Sequence, residues 1–313
     1  MSDTTPSATT PDPKASGTPE PAKGPRVDDE TVLGPDTEAT PDTSVDISVD
    51  EVQDLPAGKM LEVDDVTLRF GGVTALDGVS FHINTGEILG LIGPNGAGKT
   101  TCFNVMTGVY QPTSGNVRFM GEPLGRRKKF QITKLGIART FQNIRLFHNM
   151  TALENVLVGA DAHHSTGMGT ALLRLPKHKA EEKEGMDRGY ELLKFMGLEK
   201  RADELARNLP YGDQRRLEIA RALATNPKLL CLDEPAAGFN PAEKARLMEL
   251  IQSIRDQGYT VLLIEHDMKL VMGVTDRIVV LEFGKKIAEG KPAEIQDNPA
   301  VIAAYLGVDE NAS

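Results

Sequence analysis

The segment from residue 93 to residue 101 has the composition of a phosphate-binding loop. Its sequence is GPNGAGKTT, in which residues 93–100 fit the spacing G-x-x-x-x-G-K-[ST]. Glycines let backbone N–H groups converge on a phosphate, Lys99 can reach the phosphate oxygens, and the Thr100 hydroxyl can reach Mg²⁺. A helix that begins there points its positive end at the anion. We therefore predict nucleotide binding by the residues of this loop, which are Gly93, Pro94, Asn95, Gly96, Ala97, Gly98, Lys99, Thr100 and Thr101.

Two carboxylates follow the apolar run LLCL at residues 229–232. Strands of an open parallel sheet deliver their carboxyl ends to the ligand crevice, so Asp233 and Glu234 are placed to act on the bound nucleotide. Asp233 is predicted to hold Mg²⁺ together with Thr100, and Glu234 to orient or polarise the attacking water. A buried strand that merely ends in an acidic turn is the alternative, and the phosphate-binding loop disfavours it.

The elements around these motifs predict a layered α/β fold. The apolar run at residues 87–92 predicts a strand, so the loop has the strand–loop–helix setting that its motif requires. Residues 60–70 and 73–83 alternate as an antiparallel strand pair. Residues 143–226 are mostly helical in pattern, and strand–helix alternation then resumes. We predict a P-loop NTPase (RecA-like) parallel-sheet core with an antiparallel β subdomain and an inserted α-helical subdomain.

The negative charge of the chain is concentrated at its start. The 313 residues carry a formal charge of −10, and residues 1–57 contain 13 acidic and 3 basic residues. This segment holds 9 of the 19 prolines and lacks aromatic residues. Such a composition predicts a disordered, solvated extension over residues 1–57, with an acidic docking tail as the less favoured alternative. Residues 58–313 are expected to form the nucleotide-binding domain.

Composition also excludes several classes of function. The body beyond residue 57 is balanced in charge and has no basic stripe, so we expect no nucleic-acid partner. We expect neither a signal peptide nor a membrane span, because the start lacks an apolar region and apolar runs stay short. Cys102 and Cys231 are interpreted as small core residues, which fits a reducing cytosolic compartment.

Further motifs make the family resemblance specific. Gln142 ends the strand pattern of residues 136–142, PYGDQRR at residues 210–216 precedes LEIARAL, and His266 follows an apolar strand run. With Phe70, the phosphate-binding loop and Asp233–Glu234, these residues resemble the nucleotide-binding subunits of ATP-binding cassette (ABC) transporters over about residues 60–307. The resemblance implies an ATPase that uses ATP and Mg²⁺.

The resemblance also implies roles for individual residues. Phe70 would stack on adenine, with a core strand position as the alternative. Gln142 would reach Mg²⁺ or the attacking water and report to the helical part, while His266 would bond the γ-phosphate. In this family the signature segment of one subunit covers the ATP held by another. The corresponding residues here are Tyr211, Gly212, Asp213 and Gln214.

Two signature positions depart from the family pattern LSGGQ. Tyr211 is large and Asp213 is acidic, where the family has small or neutral residues. A carboxylate beside a phosphate repels it, whereas an acid in the first turn of a helix is favoured by the helix dipole. Both interpretations of Asp213 remain open from the sequence.

Three longer segments resemble one subtype, the LivG type of branched-chain amino acid importers. They are residues 209–221, 264–273 and 298–307, and a helical insertion at 161–201 accompanies them. This subtype implies a second, different ATPase subunit, two membrane permeases and an external solute-binding protein, with the chain peripheral on the inner face of the membrane. An ABC ATPase for urea, other amino acids or lipopolysaccharide export is the alternative. A soluble cassette ATPase of translation or DNA repair, and a P-loop kinase or GTPase, are less favoured.

Overall fold

The computed structural model describes residues 40–48, 55, 57–160 and 176–306. In these ranges the strands are β1 (Lys59–Phe70), β2 (Val73–Asn84), β3 (Ile88–Ile92), β4 (Ser114–Phe119), β5 (Glu122–Pro123), β6 (Ile137–Arg139), β7 (Leu229–Asp233), β8 (Thr260–Ile264), β9 (Arg277–Glu282) and β10 (Lys285–Gly290). The helices are α1 (Lys99–Met106), α2 (Lys129–Leu135), α3 (Ala152–Ala160), α4 (Pro176–Phe195), α5 (Tyr211–Leu223), α6 (Pro241–Asp256), α7 (Met268–Val274), α8 (Pro292–Gln296) and α9 (Pro299–Leu306).

The strands form two sheets. One is antiparallel, in the order β2-β1-β4-β5. The other has the order β10-β9-β3-β8-β7-β6, and it is parallel except for the pairing of β10 with β9. The strand before the phosphate-binding loop, β3, lies inside the parallel sheet between β8 and β9. The carboxyl ends of β3, β7 and β8 therefore meet at one edge, as expected for this topology.

Both faces of the parallel sheet are covered. In β7 the side chains of Leu229 and Cys231 pack with α1 and the antiparallel sheet, whereas Leu230 and Leu232 pack with the helical insertion and α6. Every residue of β3, β7 and β8 is buried. A parallel sheet buried on both faces explains why these strands are continuous apolar runs. Burial also raises the pKa of both free thiols, Cys102 and Cys231, to about 12.

The first inserted helix, α3, begins with a capping box. The Thr151 backbone N–H donates to Glu154 Oε2 at 2.7 Å, and the Glu154 N–H donates to Thr151 Oγ1 at 3.1 Å. A threonine followed three residues later by a glutamate predicts this arrangement from the sequence. Residues 171–197 have helical periodicity, and α4 occupies this region from Pro176 to Phe195; residues 171–175 lie outside the described part. In the described ranges no helix has both the length and the apolar character needed to cross a bilayer.

One local prediction is wrong, and one helix was not predicted. A strand is predicted over residues 136–142, but β6 ends at Arg139, so Phe141 and Gln142 leave the sheet. The charged stretch before it forms α2, which the pattern of residues does not predict.

The prediction that all of residues 1–57 is solvated is also wrong for residues 40–48, which we call the strap. Ile47 in the strap is 0% exposed and belongs to the core cluster formed by the helical insertion and one face of the parallel sheet. Val45 packs against the same cluster. The physical reason is that the side chains of Val45 and Ile47 pack against the core of the nucleotide-binding domain. The average composition of residues 1–57 does not reveal these two apolar positions. Residues 1–39 lie outside the described part.

Candidate active site

The phosphate-binding loop is closed on itself by its own lysine. The ammonium of Lys99 donates to the carbonyl oxygens of Gly93 at 2.7 Å and Pro94 at 3.0 Å. Gly93 has φ +152°, and a Cβ there would lie 2.1 Å from the carbonyl oxygen of Leu281 in β9. Only glycine fits this close approach, which explains the first fixed position of the motif.

The electrostatics of this loop favour an anion. Burial lowers the pKa of Lys99, and the carboxylate of Glu234 opposes that shift. Lys99 is buried while Thr100 is exposed at the start of α1. A phosphate at this helix start would meet backbone N–H groups, the helix dipole and the ammonium together.

Asp233 ends β7 as a buried carboxylate beside an arginine. Its Oδ2 lies 3.6 Å from Arg139 Nη2, and its side chain is 9% exposed. Burial raises the pKa of Asp233, and the Arg139 guanidinium opposes that rise. Arg139 is a site residue that the sequence analysis missed, because its pairing with Asp233 joins β6 to β7 across 94 positions of the chain.

The structure brings Gln142, Glu234 and His266 together. Gln142 Nε2 donates to Glu234 Oε2 at 3.0 Å, and His266 Nδ1 lies 3.6 Å from the same oxygen. Glu234 has φ +46°, a left-handed conformation directly after β7, and its N–H donates to the Ile264 carbonyl at 2.9 Å. Three polar side chains from different segments therefore converge, and the Glu234 carboxylate is close enough to Lys99 to affect its pKa.

Glu265 is a buried carboxylate next to this cluster. It is 0% exposed and accepts hydrogen bonds from the N–H of Ala236 at 2.8 Å and of His266 at 3.1 Å. Burial raises the pKa of Glu265, and these N–H donors oppose the rise. Glu265 thereby fixes the turns that carry Glu234 and His266. The sequence analysis missed it, although an acidic residue after the apolar run of β8 was a visible signal.

The predicted adenine-stacking residue lies at the end of β1. The Phe70 side chain is exposed, and its ring meets Tyr110 edge-on with centroids 5.2 Å apart. Exposure disfavours the alternative interpretation as a core residue. Tyr110 is a second aromatic group at this place that the sequence analysis did not single out.

The signature residues open α5 and contact a different part of the chain. The Tyr211 ring is 48% exposed and meets Phe239 edge-on with centroids 6.2 Å apart. Gln214 Nε2 donates to the Leu209 carbonyl at 2.8 Å. The Tyr211 ring is thus half-exposed and its hydroxyl accepts from Arg215 Nη2 at 3.3 Å, while the amide of Gln214 is used within the chain.

The Asp213 side chain is paired within its own chain. Its carboxylate is 6% exposed and forms ion pairs with Arg216 and with Arg201, whose Nε lies 3.3 Å away. A buried carboxylate between two guanidinium groups is paired with opposite charge, which offsets the cost of removing it from water. This pairing supports the helix-start interpretation of Asp213, and contact of the signature segment with a nucleotide stays a prediction.

Arg215 links α5 to the segment that carries Gln142. Its side chain is fully buried, and its guanidinium donates to the carbonyls of Phe141 at 2.6 Å and Gln142 at 2.7 Å. Glu218 Oε2 accepts from the same guanidinium at 2.9 Å. Arg215 therefore fixes the backbone from which Gln142 reaches Glu234. The sequence places Arg215 in the signature segment, and only the structure shows that it contacts the Gln142 backbone.

The donor atoms at the site fit Mg²⁺. The described residues contain no group of three or more His, Cys, Asp and Glu side chains that could hold a metal by themselves. Mg²⁺ is bound through one or two carboxylates together with substrate phosphates, so a site built from Asp233, the Thr100 hydroxyl and the Gln142 amide oxygen has suitable chemistry.

Comparison with known proteins decides the family. Residues 76–237 match the family model described as ABC transporter, and residues 285–311 match the model described as branched-chain amino acid ATP-binding cassette transporter. The chain belongs to the ABC transporter family. The site described above is therefore that of an ABC ATPase, and the predicted α/β P-loop fold is confirmed.

Relatives in this family resemble most of the chain. The chain is 49% identical over 249 residues to the high-affinity branched-chain amino acid transport ATP-binding protein LivG of Salmonella typhimurium, which covers 79% of this chain and 98% of that protein. It is 48% identical over the same length and coverage to the corresponding protein BraF of Pseudomonas aeruginosa.

Solved ABC cassettes share the fold. A nucleotide-free ATP-binding cassette is 32% identical with a TM-score of 0.69, over 79% of this chain and 99% of that one. A dimeric post-hydrolysis cassette bound to ADP and Pi is 28% identical with a TM-score of 0.63, over 74% of this chain and 99% of that one.

Proposed function

We propose that this ABC ATPase is the energy-coupling subunit of an importer for branched-chain amino acids. The observation that carries the proposal is the match of residues 285–311 to a model specific to branched-chain amino acid cassettes, together with relatives of that activity. We further propose a peripheral position on the inner face of the cell membrane, where the subunit meets two permeases served by an external solute-binding protein.

The geometry supports distinct roles for the clustered side chains. The buried ammonium of Lys99 donates to two neutral loop carbonyls. On nucleotide binding it would donate to phosphate oxygens instead, because these carry negative charge. Glu234 would accept a proton from the attacking water or hold that water in line, and Gln142 and His266 would fix its position beside the γ-phosphate. Mg²⁺, held by Asp233 and Thr100, would neutralise phosphate charge when bound.

A second cassette completes the site in this proposal. Tyr211 is exposed at the start of α5, where the helix dipole and free backbone N–H groups suit a phosphate held by another subunit. We propose a different ATPase subunit as the partner, because the resemblance is to a type that pairs in this way. Phe70, with Tyr110 beside it, would stack on adenine, an interaction worth about 1–3 kcal/mol.

A groove beside Gln142 is proposed as the permease contact. It encloses about 440 Å³, and its lining combines apolar side chains with the guanidinium groups of Arg139, Arg145 and Arg221. The Arg145 guanidinium lies 4.4 Å from the centroid of the Phe141 ring. Because the groove lies between β6 and the inserted helices, a permease helix seated there would sense movement of the segment that carries Gln142.

Uptake by cells that lack the gene tests the proposed function. Deletion is expected to abolish high-affinity uptake of labelled leucine, isoleucine and valine and to leave uptake of urea unchanged, with recovery on complementation. Purification of the tagged subunit should recover hydrophobic permeases. Unchanged amino-acid uptake with loss of another solute would refute the assigned cargo, and recovery of ribosomes or DNA in place of permeases would refute a role in transport.

Arg215→Lys is predicted to slow ATP hydrolysis by about 10- to 100-fold, because the position of Gln142 would relax by a fraction of an ångström. A lysine cannot bridge the carbonyls of Phe141 and Gln142 with a planar fork. The KM for ATP should stay unchanged, since the phosphate-binding loop is untouched. Steady-state hydrolysis by the complete complex measures both constants.

A double-mutant cycle separates positioning from general destabilisation. If Arg215 acts through Gln142, Arg215→Lys should add less than about twofold to the effect of Gln142→Ala. Arg255→Lys on α6, where the guanidinium pairs with exposed carboxylates, is the matched control and should retain normal hydrolysis. Fully additive losses in the two single variants would contradict the positioning role.

A further inference from the structure

The strap is bound to the sheet side of the body by one glutamine. Gln257, in the turn between α6 and β8, accepts hydrogen bonds through Oε1 from the N–H groups of Ile47 at 3.1 Å and Ser48 at 3.2 Å. Its Nε2 donates to the Val45 carbonyl at 3.4 Å. The Gln257 side chain therefore bonds backbone N–H and carbonyl groups of the strap, which a neighbouring strand would otherwise bond with its backbone.

The same stretch of the strap is bound to the helical insertion. The Ile47 carbonyl accepts from Arg188 Nη2 on α4 and from the Tyr259 hydroxyl at 2.8 Å. Arg188 Nη2 also lies 3.0 Å from the Tyr259 hydroxyl. One carbonyl of the strap thus joins α4 of the helical insertion to Tyr259, the residue that precedes β8 of the parallel sheet.

The strap lies in close contact with the end of α4. Gly197 has φ +70°, and a Cβ there would lie 2.1 Å from the Thr40 carbonyl oxygen, so the two backbones touch at a place that only glycine allows. Lys194 Nζ, near the end of α4, lies 3.9 Å from Asp42 Oδ2. Contacts along the whole strap, in addition to the burial of Ile47, connect it to the helical insertion.

We propose that the strap restrains rotation of the helical insertion against the parallel sheet. Because its contacts are shared between α4 and the turn before β8, the two parts cannot move apart without releasing Ile47 from the core and breaking the shared hydrogen bonds. The consequence for transport rests on the proposed function, in which a permease helix seated beside the helical insertion senses movement of the segment that carries Gln142. The strap then acts as a restraint built into the chain on that movement.

The restraint is tested by a distance measurement in the full-length protein. Spin labels attached at Asp187→Cys on α4 and Glu249→Cys on α6, both exposed positions, report the separation of the insertion from the sheet side. The native thiols stay unlabelled because they are buried and weakly acidic. Double electron–electron resonance gives the distance distribution with and without ATP.

Ile47→Asp should release the strap, since a carboxylate cannot remain unpaired in this apolar site. We expect the distance distribution to broaden by about twofold, and its ATP-dependent shift to increase. Thr43→Asp adds the same charge at an exposed position of the strap and should leave the distribution unchanged. Gln257→Ala removes the anchor from the body side and should reproduce the effect without placing a charge in the core.

Distributions that stay the same in Ile47→Asp and Gln257→Ala would overturn the proposal, as would equal broadening in Thr43→Asp. The measurement uses isolated protein and does not depend on the transported solute. A broadened distribution in a protein whose gene proves irrelevant to amino-acid uptake would retain the restraint and refute only the proposed cargo. An unchanged distribution in a proven importer subunit would refute only the restraint.

Discussion

Glu234→Gln is expected to slow ATP hydrolysis by about 10²- to 10⁴-fold, the usual contribution of a positioned base, while ATP still binds. The amide keeps the size of the side chain and can still contact Gln142, whose amide lies 3.0 Å from the carboxylate. It cannot accept a proton from water. We propose that hydrolysis of ATP separates the two paired cassettes, so ATP should hold the variant in a closed assembly with its partner.

Single-turnover hydrolysis and gel filtration with ATP measure these two effects. Glu249→Gln makes the same chemical change on the exposed surface of α6 and should behave as the wild type. Hydrolysis by Glu234→Gln at the normal rate would exclude Glu234 as the base. The absence of ATP-dependent association with a partner cassette would count against the proposed closed pair.

Lys99→Ala is expected to abolish measurable hydrolysis and to weaken ATP binding by about 10- to 100-fold, as expected for loss of a hydrogen bond to a charged group. The substitution removes the cation that faces the phosphates. It also leaves the carbonyls of Gly93 and Pro94 without their donor, so the loop loses its internal closure. Nucleotide binding by calorimetry and hydrolysis by the complex check the two parts of this prediction.

Lys200→Ala is the matched control, because Lys200 is exposed in the helical part and away from the phosphate-binding loop. It should bind and hydrolyse ATP normally. Full hydrolysis and uptake by Lys99→Ala would show that the nucleotide site has been placed wrongly.

The parts of the site that could be predicted from sequence are those set by local backbone. The loop from Gly93 to Thr100 depends on glycines and a lysine at fixed spacing, and Asp233 and Glu234 follow a strand that reads as one apolar run. The partners of these residues could not be predicted in this way. Arg139 reaches Asp233 and Arg215 reaches the Gln142 backbone only through pairings that the tertiary fold creates.

The strap shows how an average can hide a local pattern. Residues 1–57 are acidic and rich in proline, and the composition of the whole segment predicts that it stays solvated. Within it, Val45, Ile47 and Val49 alternate with polar residues, which is the period of a half-buried strand. Only Val45 and Ile47 of this series are described, and both contact the core.

The backbone at Glu234 has a thermodynamic consequence of its own. At φ +46° a residue with a side chain is held in a conformation that costs of order 1 kcal/mol, whereas glycine adopts it freely. Glycine at this position would thus make the folded state more stable than glutamate does. The glutamate is present despite this cost in stability. A descendant chain freed from the need to turn over nucleotide would be expected to lose this glutamate early, by simple relief of strain.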